Sequence, residues 1–122
     1  EHFSLNDLKM NFLILKKIKK KNGIISSVID YSDHYSHTDK NIGPLNFLQF
    51  SEHEWKKFNN FYLFQNRLRH QDYRNFFLNN NFEILDELKG GSGTPPKNVS
   101  NAFDISDKET FILWGHFLLR NT

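Results

Sequence analysis

Lys20-Lys21-Asn22-Gly23-Ile24-Ile25-Ser26-Ser27-Val28-Ile29-Asp30 is the stretch on which the fold turns. Upstream of it, Leu5, Leu8, Phe12, Leu15 and Ile18 recur at spacings of three and four, the signature of an amphipathic helix. Ser4 is placed to cap that helix, and Asp7 complements its positive end. Lys16, Lys17, Lys19, Lys20 and Lys21 crowd its last turns, where cations oppose the negative end. Asn22-Gly23 stops it, with Gly23 expected in the left-handed cap. Ile24 to Asp30 then runs without strict alternation, as a strand buried on both faces would. A helix feeding through glycine into such a strand reads as half of a βαβ unit.

Further along, Ser51-Glu52-His53-Glu54 has the form of a capping box and predicts a short helix carrying Trp55 and Phe58. Gln71 to Leu78 predicts another helix, burying Tyr73, Phe76 and Phe77 and ended by Asn79-Asn80-Asn81. Phe82 to Leu88 alternates, as a strand with one wet face does, and Thr110 to Leu119 reads as a long apolar strand. Between them, Gly90 to Pro96 is rich in Gly, Ser and Pro, so 90–98 is expected to be a flexible loop in a wide antiparallel hairpin. Residues 61–68 carry no clear period, and the chain contains no internal repeat.

Composition bounds the function. The 122 residues are 25% charged, 38% hydrophobic and 16% aromatic, which is one globular domain, 1–122. Thirteen Phe against one Met imply a core filled mainly by Phe, Leu and Ile. The chain has no Cys, which excludes disulfides, thiol nucleophiles and zinc ribbons and permits a reducing compartment, so a cytoplasmic location is expected. A formal charge of +2 argues for no nucleic-acid partner, and no apolar run is long enough to span a membrane. The chain begins at Glu1-His2-Phe3 without an initiating Met and is read as part of something longer.

Two clusters carry chemistry. Asp30 to Asp39 is the densest polar stretch. Its Asp33, His34, His37 and Asp39 have metal-type donors, but their spacing matches no defined ligand pattern, and no metal is expected. The same stretch reads as an acid–base site around His34, or as a surface loop with Asp and Ser turn residues. In the second cluster, Asn66 to Arg74, Arg67 and Arg69 are candidates to clamp a carboxylate or phosphate; the alternative is a basic helix start pairing with Asp72.

Taken in order, these motifs resemble class I S-adenosylmethionine-dependent methyltransferases. Glu1-His2-Phe3, Leu15-Lys16 and Asn22-Gly23-Ile24-Ile25 are similar to the family's "LEHF…LKPGG" stretch, with Lys21-Asn22-Gly23 where the family has Pro-Gly-Gly. Asp33-His34-Tyr35, Asn46-Phe47-Leu48-Gln49-Phe50-Ser51, Trp55, Asn66-Arg67-Leu68-Arg69 and Asp72-Tyr73 resemble a subgroup with "DHY…NFLRFS…W…NRLR.SDY" in that order. Asn81-Phe82-Glu83-Ile84 looks like its "aGF.I" ending, and Phe103 to Arg120 like its last strand, which in that fold runs antiparallel. The likeness covers nearly the whole chain; the order of DHY, NFL and NRLR is its most specific part.

The resemblance implies an α/β fold, the C-terminal half of a Rossmann-like sheet. One parallel strand, Ile24 to Asp30, would neighbour an antiparallel pair, Phe82 to Leu88 and Phe111 to Leu119, under helices Leu5 to Lys21 and Gln71 to Leu78. It implies S-adenosylmethionine as cofactor and methyl transfer to a small-molecule acceptor. His2 and His34 would be the candidate bases, and Glu1 and His2 would lie on the cofactor side. Asp33, Tyr35, Trp55, Asn66, Arg67 and Arg69 would contact the acceptor. The Gly-rich loop and ribose-binding acid of the family have no counterpart here, so this chain alone is expected to be incomplete and inactive, with self-association through an uncovered sheet. The rival reading is a non-enzymatic module whose lysine run and Arg67–Arg74 segment present a basic face to a polyanion or protein partner.

Overall fold

The computed structural model describes residues 1–121. Helix α1 (Leu5–Ile18) is capped by the Ser4 hydroxyl, which accepts from the Asp7 amide. Leu8 and Phe12 are buried, while the outer residues of the same stripe, Leu5 and Ile18, are exposed. The helix ends at Ile18, inside the lysine run and short of the expected Lys21, so Lys16 and Lys17 lie in its last turn and Lys20 and Lys21 lie beyond its cap, Lys19. The left-handed residue beyond it is Asn22 (φ 62°), so the asparagine rather than Gly23 makes the turn.

Strand β1 (Ile24–Asp30) follows. Asp33 caps a 3₁₀ turn, His34–His37, and a second 3₁₀ turn spans Asn46–Gln49. The one-turn helix α2 (Glu52–Trp55) has the reciprocal Ser51–Glu54 capping box its sequence predicts. Helix α3 (His70–Asn79) starts where the Asp72 carboxylate accepts from the Arg69 amide at 2.8 Å. Strands β2 (Phe82–Ser92) and β3 (Ile112–Asn121) complete the chain.

The sheet has three strands in the order β1-β3-β2, and both pairings are antiparallel. This overturns the expected Rossmann-like sheet with a parallel strand: the domain is α+β with an all-antiparallel sheet. β1 lies against β3 in the register Val28↔His116, Ile29↔Gly115, Asp30↔Trp114. It is not buried on both faces. Ile25 and Ile29 turn inward, while Ile24 and Val28 are 60% and 71% exposed, a one-sided strand that an antiparallel sheet accommodates. β1 and β2 are the sheet edges, and the outer edge of β1 has no strand partner among the described residues.

The segment expected as a loop from residue 90 begins as strand. Gly90 and Ser92 still pair with Trp114 and Ile112. A side chain at Gly90 would meet the Trp114 ring 2.8 Å away, so glycine is what lets the indole lie across the strand.

Two cores form. The first joins Leu8 and Phe12 of α1, Tyr73, Phe76 and Phe77 of α3, and Ile29, Phe82, Phe117 and Leu119 of the sheet. The second gathers Leu45, Phe47, Leu48 and Trp55 beside Phe103, Phe111 and Leu113. In the first, Tyr31 Oη and His70 Nδ1 share a buried hydrogen bond of 3.0 Å, and His70 stacks on Phe117 with centroids 4.7 Å apart. Both rings sit directly over Gly115. A Cβ there would lie 2.7 Å from His70 Nδ1 and 2.9 Å from Tyr31 Cζ.

Gly115→Ala is therefore expected to cost about 2–3 kcal/mol, at the upper end of overpacking penalties. Gly43→Ala, where a Cβ meets nothing within 4 Å, serves as the control. Urea denaturation of both variants checks this; equal midpoints would refute the packing argument.

The other ring nitrogen of His70 bonds Glu87 at 2.7 Å, and Arg74 closes on the same carboxylate. Burial pushes the Glu87 carboxyl up, but the His70 hydrogen bond and the Arg74 charge outweigh it, leaving it below its ordinary value. A carboxyl depressed by folding contributes stability above its unfolded pKa and loses it as pH falls through the folded one. Glu87→Gln should flatten the acid limb of a melting-temperature profile; an unchanged slope below pH 5 would contradict the pairing.

Candidate functional site

The site is built where the end of β1 meets the first residues of the chain. Past Asp30, the Asp33 cap starts a 3₁₀ turn in which His34 stacks on His37 and, with Tyr35, lines one cavity. Asn66 holds Glu1-His2-Phe3 against that turn. Its amide donates to the Glu1 carbonyl at 2.8 Å and its side chain to the Phe3 carbonyl at 2.9 Å. His2 and His34 are thereby brought together, with ring centroids 4.9 Å apart.

Beside the two imidazoles is a cavity of about 310 Å³, walled by Tyr35, Tyr62, Phe64 and Gln65. That volume is at the lower end of small-molecule pockets, and apolar walls with a few convergent polar groups are their usual composition. Gln65 is buried and fastens the wall by accepting from the His34 amide at 3.2 Å. Tyr35 directs its hydroxyl to the Phe58 carbonyl at 2.9 Å, presenting its ring to the cavity.

The imidazoles are oriented. His2 Nδ1 bonds the Phe64 carbonyl at 3.1 Å, so this nitrogen carries a proton, and Nε2 stands 3.6 Å from the Glu1 carboxylate. His34 Nε2 is buried without a hydrogen-bond partner, and the Asp30 carboxylate stands 3.5 Å from it. Burial holds the His34 imidazole below its ordinary pKa against the pull of Asp30, with His2 and His37 acting in the same direction as burial. Glu1, His2 and His34 each offer a donor atom within 4.8 Å of the others, a set able to hold a divalent cation.

The remaining expected residues lie elsewhere or do other work. Asp33 is buried and accepts from the Tyr35 amide and the Asn46 side chain, and burial raises its carboxyl pKa against those bonds. Asp39 caps a turn through Asn41, apart from the histidines. Trp55 sits in the second core, edge-on to Tyr35 at 6.5 Å, with its Nε1 donating to the Gln65 carbonyl.

Arg67 and Arg69 are only 6% and 5% exposed and do not line the cavity. Arg67 donates to the Phe47 and Phe50 carbonyls and to Glu52. Arg69 donates to the carbonyls of Tyr31 (2.7 Å), Thr110 (2.8 Å) and Ile112 (2.7 Å). Burial lowers its pKa to about 10, which leaves it charged at neutral pH. The Arg69 guanidinium is occupied by main-chain oxygen, and that of Arg67 by main-chain oxygen and the Glu52 carboxylate.

Glu1, His2, His34 and Tyr35 are thus brought together, while Asp33, Trp55, Asn66, Arg67 and Arg69 support them from outside the cavity. Sequence reasoning missed Phe64 and Gln65 because residues 61–68 show no period. The run Phe61-Tyr62-Leu63-Phe64, too apolar for an idle loop, was the available signal. No protein-family model, curated protein or solved structure matches this chain. No helix among the described residues is long and apolar enough to cross a membrane.

Replacing Arg69 by Met keeps its bulk but leaves those carbonyls unpaired. Each buried orphan costs about 1–3 kcal/mol, so Arg69→Met should destabilise by at least about 3 kcal/mol. Arg69→Lys, which cannot span the same fork, should recover only part of that. Chemical denaturation of the two variants is the check; wild-type stability for Arg69→Met would mean the fork holds nothing.

Proposed function

We propose that this chain serves methyl transfer from S-adenosylmethionine to a small-molecule acceptor, held in the cavity beside His2 and His34. One observation carries the reading. His2 and His34-Tyr35, which come from two separate stretches that take part in the resemblance, line one small-molecule-sized cavity. Methyl transfer needs the donor sulfonium and the acceptor atom in line, and often a group to take the acceptor's proton. His2 and His34 line the cavity in which that acceptor would sit. Glu1 and His2 stand on the cofactor side, and Tyr35 and Phe64 give the acceptor an apolar wall. A cytoplasmic setting goes with this reading, as for a Cys-free chain acting on a small molecule.

The polyanion-binding alternative loses support. Two arginines of its basic face are buried, and Arg74 is paired with Glu87. What remains is the lysine run at the end of α1.

The test is methyl transfer from labelled S-adenosylmethionine by the longest natural chain containing these residues, against a panel of hydroxylated small molecules. His34→Ala should lower turnover by ~10²–10⁴-fold, the usual contribution of a general base. Its melting temperature and cofactor affinity should stay near wild type. Turnover with wild-type rate in His34→Ala would reject the site; absence of both cofactor binding and transfer would reject the function.

A further inference from the structure

We propose that Glu1, His2 and His34 form a binding site for a first-row divalent cation. This goes beyond the methyl-transfer reading and stands without it. The sequence pattern around Asp33 to Asp39 hides it, because the donors come from two stretches of the chain that meet only in the fold.

Three features of the geometry support it. First, donor atoms of Glu1, His2 and His34 lie within 4.8 Å of one another, whereas donors around a tetrahedral zinc stand about 3.4 Å apart for bonds of ~2.1 Å. Small side-chain rotations close that gap. Second, His2 is arranged as metal-binding histidines usually are: its Nδ1 proton is given to a backbone carbonyl, Phe64, which fixes the ring and directs Nε2 at the cluster. The Glu1 carboxylate is oriented in the same way, with one oxygen accepting from the Asp30 amide at 3.4 Å and the other beside His2 Nε2 at 3.6 Å. Third, His34 Nε2 is buried with no hydrogen-bond partner. A buried polar atom left unpaired is costly, and a cation would pair it.

Asp30 stands behind His34 and adds negative charge beside the cluster. One of its oxygens accepts from the Ser32 amide at 2.8 Å, while the other faces His34 at 3.5 Å and His37 at 3.8 Å. His37 itself is held to the Ser32 hydroxyl at 3.1 Å and stacks on His34, bracing the ring rather than entering the cluster. Two imidazoles and one carboxylate suit Zn²⁺, Co²⁺, Fe²⁺ or Mn²⁺ and are poor ligands for Mg²⁺ or Ca²⁺, which prefer all-oxygen shells. The cavity opens beside this cluster, so an ion there would meet a ligand held between Tyr35 and Phe64.

The experiment is titration of the 122-residue chain with Co²⁺ and Zn²⁺, followed by the ligand-field absorption of Co²⁺ and its displacement by Zn²⁺, with no S-adenosylmethionine present. One equivalent should bind, with a Kd of roughly micromolar or below, and Mg²⁺ should not displace it. His2→Ala and His34→Ala should each weaken binding by at least ~10-fold, while His53→Ala, on exposed α2, should bind as wild type does. Circular dichroism checks that each variant is folded. If either histidine variant is not, Glu1→Gln carries the test, since the Glu1 side chain makes only one long contact to the backbone and its main-chain bond to Asn66 is kept. Unchanged affinity in the folded variants, equal loss in His53→Ala, or no binding by the folded wild type would overturn the site. Metal binding without methyl transfer, or transfer that survives chelation, separates this inference from the proposed function.

Discussion

The Arg69 guanidinium is the constraint on which the rest of this structure depends. In an antiparallel pair, the end of one strand lies beside the start of the other. Tyr31, just past β1, and Ile112, at the start of β3, therefore leave the ladder at the same place. Their carbonyls, with that of Thr110, would be buried there without partners. Arg69 supplies all three with donors from one planar group. It also lies over Tyr31 and Phe47, one ring from each core, so the same side chain joins the two halves of the interior.

Its neighbours extend the arrangement. Within Asn66-Arg67-Leu68-Arg69, Asn66 ties down the N-terminal residues, Arg67 gathers the carbonyls before α2, and Arg69 closes the sheet end. Three distant segments are anchored by four consecutive residues, and helix α3 begins immediately after them. The cavity is a consequence. Its two histidines meet because Asn66 presses Glu1-His2-Phe3 against the turn that carries His34. The arginines read from sequence as an anion clamp instead act on the backbone that frames the site. A charged fork is equally suited to either task, and only the placement of unpaired carbonyls selects between them.

The antiparallel sheet also explains how the polar centre of β1 is tolerated. Ser26 faces the open side, where its hydroxyl bonds His116 of β3 at 2.8 Å, while Ile25 and Ile29 pack inward. A parallel strand covered on both faces would have had to bury that serine. The same one-sidedness leaves Ile24 and Val28 exposed and the outer edge of β1 open, which is the surface on which the expected self-association would act.

What the sequence determined by itself was local. The Ser4 and Ser51 caps, the α1 stripe around Leu8 and Phe12, the Asp72 start of α3, the turn at Asn22-Gly23 and the existence of all three strands depend on residues within about four positions of one another. Their hydrogen bonds and side-chain spacings are written into the chain. The left-handed turn residue, Asn22 in place of Gly23, was misplaced only by one position. The tertiary structure alone decided strand direction, the burial of Arg67 and Arg69, the continuation of β2 through Gly90, and the meeting of Glu1 and His2 with His34. Each of these is set by a distant partner: β3 for the strands, orphan carbonyls for the arginines, the Trp114 ring for the glycine, Asn66 for the histidines. A strand's own residues show that it pairs, and a histidine's neighbours that it is polar, but which group stands opposite is fixed only when the chain closes on itself.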